Sequence, residues 1–297
     1  MTKIWQHALL FAAMASAWPG LNPAVQQPGG EVFRVKVRLV EVYAAVYDSS
    51  GHYVDGLGRD NFEIREDGQL QPIASFEASS YKLSCAILLD TTGSMAPTLP
   101  RVKNAVIKLI DSLGPEDAIA IYSFDRQVSM RQEFTTDKAA AKRAVLRLRA
   151  EGETALFDAI AQTTQEISSQ AGKKALVVFT DGEDNASMIN AASAVARAKK
   201  LGLPLYTIAE GDAIQSAPLK KMLAELSQAS GGLSYEARKS SDIEQIFKDI
   251  SQDLQHLYLI SYKPPAGPGA GVWRRIAVAL KNQHEYRIRS KEGYTSD

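Results

Sequence analysis

Apolar and polar positions follow two rhythms along the chain. Val35, Val37 and Leu39 alternate with Lys36 and Arg38, and an apolar set continues from Val42 to Val46. A period of two predicts a half-buried strand. Asp48-Ser49-Ser50-Gly51 has turn chemistry, and residues 62–65 read as a further short strand. Asp67-Gly68 then signals a hairpin, with residues 72–76 as the returning arm. Residues 31–80 therefore predict a β segment of about three or four strands.

The rhythm changes at residue 81, where strand and helix patterns begin to alternate. Such alternation predicts parallel βαβ units. Mostly apolar runs at 85–89, 117–124, 174–180 and 203–209 predict buried strands, and 128–134 pairs back on 117–124 across Asp125-Arg126-Gln127. Val102, Ala105, Val106, Leu109, Ile110 and Leu113 fall at helical spacing, stopped by Gly114-Pro115. Further helices are predicted over 137–149, about 152–170, 188–201 and 217–229, then a turn at Gly231-Gly232 into a strand at 233–236. Ile243, Ile246, Phe247, Ile250, Leu254 and Leu257 mark a last helix. Beyond it, residues 257–262, 272–280 and 286–289 read as strands. Counted with the first segment, about seven short strands suffice for a sandwich. The expected architecture is α/β: a doubly wound, mostly parallel sheet inserted in a small immunoglobulin-like β-sandwich made from both chain ends. Pairing the two ends removes the strand edges that separate β segments would expose. The expected divisions are a leader (1–17), a linker (18–30), the β segments 31–80 and 257–297, and the α/β domain 81–256.

One apolar run leads into chemistry. After residues 85–89 come Asp90, Thr92 and Ser94, a carboxylate and two hydroxyls at alternate positions of one loop. Hard oxygens in that arrangement suit Mg²⁺ or Ca²⁺ and not zinc. The pattern Asp90-x-Thr92-x-Ser94 resembles the metal-ion-dependent adhesion site of von Willebrand factor A domains. The usual form is Asp-x-Ser-x-Ser; Thr92 keeps the hydroxyl and adds a methyl group. Gly152-Glu153-Thr154-Ala155-Leu156 is similar to the family's Gly-x-Thr-x-Leu loop, which supplies the site's threonine, here Thr154. A helix N-cap is the other reading of Thr154. Asp181, in Thr180-Asp181-Gly182, takes the place of the family's last site residue. Val54-Asp55-Gly56-Leu57, Asn61-Phe62-Glu63-Ile64 and Glu66-Asp67-Gly68 resemble the region ahead of the A domain in exported bacterial VWFA-related-domain proteins.

The resemblance implies a Rossmann-like A-domain fold over about residues 81–256. It implies Asp90, Thr92, Ser94, Thr154 and Asp181 as ligands of Mg²⁺, with Ca²⁺ or Mn²⁺ as substitutes. Ligands bind open α/β sheets at the carboxyl ends of strands, where these three loops are expected to meet. It also implies an adhesion or scaffold module that engages a Glu or Asp of a protein partner through the cation. Glu183 and Asp184 read as a solvated acidic rim.

Composition narrows this picture. The chain has 297 residues and 45% hydrophobic content, enough for a large core, and its 34 basic residues balance 34 acidic ones. No basic excess points to nucleic acid or an anionic membrane. Phosphate-cradling glycine loops, a Gly-x-Ser-x-Gly elbow and an HExxH helix are all absent from the sequence. His7, His52, His256 and His284, its four histidines, stand away from the candidate loops. A catalytic role is therefore not expected. The alternatives are a structural A domain with a vestigial or purely stabilising metal site, and a metal-dependent hydrolase, which would need a general base.

Lys3, an apolar stretch over 8–17 and Ala15-Ser16-Ala17 read as a cleavable signal peptide. That stretch falls short of the roughly 20 residues a spanning helix needs. Export to periplasm, cell surface or medium is expected, with no integral membrane segment after cleavage. Cys85, the one cysteine, lies inside an apolar run and reads as a small buried hydrophobe.

Overall fold

The computed structural model describes residues 39–182, 184–265, 269–281 and 285–296. The expected leader, linker and strand start at 35–38 lie outside them. Four strands come first: β1 (Val40–Tyr47), β2 (Phe62–Glu66), β3 (Gln69–Gln71) and β4 (Ile73–Glu77). The alternating run follows, with β5 (Leu83–Asp90), α1 (Leu99–Ser112), β6 (Ala118–Phe124), β7 (Val128–Thr135), α2 (Lys138–Arg147) and α3 (Leu156–Ile167). It continues through β8 (Lys173–Thr180), α4 (Ala191–Leu201), β9 (Leu205–Ala209), α5 (Ala217–Ser230), β10 (Ser234–Glu236) and α6 (Ser240–Gln255). Strands β11 (Tyr258–Tyr262), β12 (Trp273–Leu280), β13 (Arg287–Ser290) and β14 (Gly293–Thr295) close the chain.

The central sheet has the order β10-β9-β8-β5-β6-β7 and is parallel except for β7, which returns antiparallel on β6. Helices cover both faces. The apolar stripes of α1, α2 and α6 pack on one side, and those of α3, α4 and α5 on the other. Burial on both faces explains why β5 and β8 carry unbroken apolar runs.

Strands β1–β4 and β11–β14 interleave in two antiparallel sheets, ordered β13-β1-β11-β4 and β14-β12-β2-β3. Strand β1 differs from its sequence reading, since it is buried on both faces and not on one. Val40, Val42, Ala44 and Val46 point into the sandwich core, whereas Tyr43, Ala45 and Tyr47 join the α/β core. Strand β11 divides likewise: Tyr258, Ile260 and Tyr262 face the sandwich and Leu259 faces the helices.

The hairpin also differs. Its returning arm is the three-residue β3, which pairs with β2, and not residues 72–76. Pro72 separates the two, and the chain then crosses to pair β4 with β11 in the other sheet. Proline lacks the N–H that a continued ladder would need. Two helices start later than their apolar patterns suggested. Helix α4 begins after Asn190, whose side chain accepts from the Ser193 N–H at 2.9 Å. Met188 and Ile189 N–H groups instead donate to the Asp158 carboxylate. Helix α3 begins at Leu156, for a reason that bears on the site.

Candidate metal centre

The parallel register pairs Leu89 of β5 with Phe179 of β8, which sets Asp90 level with Thr180 at the carboxyl end of the sheet. Thr180 Oγ1 donates to Asp90 Oδ2 at 2.7 Å as a result. The other Asp90 oxygen, Oδ1, accepts from the Thr92 N–H at 2.9 Å and from Thr92 Oγ1 at 2.7 Å. Thr92 Oγ1 lies 3.1 Å from Ser94 Oγ, and Ser94 Oγ donates to Asp181 Oδ1 at 3.0 Å. Four of the five candidate residues thus form one hydrogen-bonded chain across two loops.

Thr154 reaches the same place from a third loop. Gly182 lies between it and Ser94: a methyl group at that glycine would stand 3.7 Å from Thr154 Oγ1 and 3.9 Å from Ser94 Oγ. Thr154 is 5% exposed, with its N–H donating to Asn185 Oδ1 at 3.0 Å. Loop-to-loop backbone bonds hold the three segments together, including Glu151 N–H to Thr91 O at 2.6 Å.

The N-cap reading of Thr154 does not hold. Ala155 occupies that position and offers no capping side chain. Asp184 Oδ2 takes over from another loop, accepting from the Phe157 N–H at 2.9 Å, while Ser187 Oγ accepts from the Asp158 N–H at 3.0 Å. Asp184 is therefore a partly buried cap at the positive end of α3 and not a solvated rim residue. Glu183 lies outside the described residues.

The site is acidic, with its two carboxylates buried and Ser94 exposed at its rim. Asp90 is fully buried and Asp181 is 7% exposed. Burial pushes the Asp90 carboxyl above its ordinary value, against the pull of the Thr92 and Thr180 hydrogen bonds. Burial, then the charge of Asp90, raises Asp181 to about 6. Glu210, at the end of β9, adds further negative charge, and its Oε2 is buried without a hydrogen-bond partner. Among the described residues no three or more His, Cys, Asp or Glu side chains group as metal ligands. The donor set is instead two carboxylates and three hydroxyls, all hard oxygens, which fits Mg²⁺ or Ca²⁺. Sequence reasoning passed over Thr180, Asn185 and Glu210. Thr180 and Glu210 could have been found as residues at the carboxyl ends of their strands.

Residues 85–249 match the von Willebrand factor type A domain. The chain belongs to this family. Its A domain, or VWA domain, holds all five candidate residues within the matched segment. An uncharacterized protein of Synechocystis sp. is 28% identical over 186 residues, which cover 60% of this chain and 43% of that protein. The chain thus spans less than half the length of that relative. Among solved structures, a von Willebrand factor type A protein from Catenulispora acidiphila aligns at TM-score 0.52 and 15% identity, covering 89% of this chain and 75% of that one. Proximal thread matrix protein 1 from the mussel byssus aligns at TM-score 0.52 and 17% identity, covering 63% and 49%. At such identities these two likenesses speak to the fold.

Proposed function

We propose that this VWA domain, of a family that generally mediates protein–protein interaction, binds a protein partner through a divalent cation, with Mg²⁺ the expected ion and Ca²⁺ or Mn²⁺ as substitutes. Asp90, Thr92, Ser94, Thr154 and Asp181 would hold it. The observation that carries this reading is the Ser94–Asp181 contact, which joins residues 87 positions apart into one oxygen-lined, acidic spot at the carboxyl end of the sheet. Once bound, the ion supplies a positive centre that a Glu or Asp carboxylate of the partner can approach. The chain's own groups do the rest. Thr180 and the Thr92 N–H orient Asp90, the Asn185 side chain fixes the Thr154 backbone, and Asp184 anchors the α3 end of the third loop. The leader composition supports action outside the cytoplasm, in an adhesion or scaffold role.

One observation favours a second reading, a structural VWA scaffold. Hydroxyls of Thr92, Thr180 and Ser94 already satisfy three carboxylate oxygens, so the loops hold together through protein contacts. Calorimetric titration of Mg²⁺ into chelator-stripped protein separates the two. Saturable one-site binding, lost in Asp90→Ala, is the expected result. A folded protein silent to both Mg²⁺ and Mn²⁺ would leave the scaffold.

A further inference from the structure

A cavity of about 450 Å³ opens at the seam between the sandwich and the α/β layers. It lies by the amino end of β8, the far end of that strand from Asp181. Leu39, Leu201, Pro264 and Tyr294 give it apolar walls, and Lys174 and Lys291 give it cationic ones. Its size falls within the range of small-molecule sites, roughly 300–1,000 Å³.

The lysines are not surface groups. Lys174 is 3% exposed and pairs with the Glu41 carboxylate at 2.8 Å. Lys291 is 4% exposed, and its Nζ stands 6.0 Å from the Tyr294 ring centre. Gly202 makes room for it: the amine lies 2.5 Å from where a Cβ at that position would be. Burial lowers the Lys291 amine to about 8, and Glu41 is the carboxylate that pulls it back. Two buried amines therefore draw on the same carboxylate. A buried cation held this way is costly unless another anion joins it.

We propose that this cavity binds a small organic carboxylic acid, its carboxylate beside Lys291 and Lys174 and its short apolar body against Leu39, Leu201, Pro264 and Tyr294. This site does not depend on the cation site. Calorimetry of the full chain with hexanoate, and with hexanamide as the uncharged control, tests it. Hexanoate is expected to bind at one saturable site, at least about tenfold tighter than the amide, the scale of one charge-assisted hydrogen bond. Lys291→Met should abolish that preference while leaving the Mg²⁺ titration unchanged. Leu201→Trp, which fills the apolar half and spares both amines, should exclude hexanoate and serves if the lysine variant does not fold. Silence of the native chain toward hexanoate, equal binding of acid and amide, or full affinity in whichever of these variants fold would each overturn the proposal.

Discussion

Asp181 shows how far one residue's chemistry was legible. Its place in Thr180-Asp181-Gly182, which resembles the family's last site position, marked it as a candidate residue. Its titration depends on what surrounds it: burial and the Asp90 charge raise it to about 6, against about 3.9 for a free aspartate. The folded chain then holds this proton more tightly than the unfolded one. The stabilising contribution is complete below about pH 4 and is lost as pH rises through about 6. Thermal melts of chelator-stripped protein should fall in midpoint across that window, and Asp181→Asn should flatten the fall. An unchanged slope in the variant would show that other groups carry it. Thr154 teaches the converse lesson. Threonine before a helix fits a cap on local grounds, but Asp184 from a distant loop takes that task, and sequence alone does not show which loop will arrive.

Helix α6 shows what elements add. Its apolar spacing was readable, and so was its length to within a few residues. The polar residue on its buried side was not. Asp253 is fully buried and accepts hydrogen bonds from Tyr53 at 2.8 Å, from Tyr47 and Tyr206, and from the Arg289 guanidinium. These partners come from β1, the following turn, β9 and β13, so one carboxylate ties the last helix to three strands. Nothing in the spacing of Asp253 announces this, because its partners lie far away in sequence. Arg289→Ala would leave a buried, partly uncompensated charge and should cost about 3–5 kcal/mol in urea unfolding. Asp253→Leu combined with Arg289→Met removes both charges and should cost clearly less. If the double variant lost as much as the single one, packing and not charge would hold this junction.

At the scale of the molecule, the alternation of strands and helices was enough to name the fold class, and the β character of both ends was plain. What local pattern could not show is that β1 and β11 serve two cores at once. Alternation counts how many faces are apolar, not what covers them. Tyr43 illustrates the point: its ring sits in the α/β core, and its hydroxyl accepts from the Lys174 N–H at 3.1 Å. Pro72 is a second case, read as part of a returning arm although it marks the passage between sheets.

Those shared strands set an order of events for a chain emerging from its amino end. Tyr47 and Asp253 are 206 residues apart, and among the described residues β1 has one local bridge, Tyr47 to Tyr53, until β11 and β13 supply its ladders. Closing so long a loop is slow relative to local helix and strand formation. The α/β unit can assemble while the first strands wait with apolar faces uncovered, a condition that invites association. Refolding followed by a dye that fluoresces on exposed apolar surface should show a transient rise before the final fall. A monotonic trace would mean that both ends dock as fast as the centre folds. By this reasoning the last strands act as a closing step, and the interval before them is when the chain most needs protection.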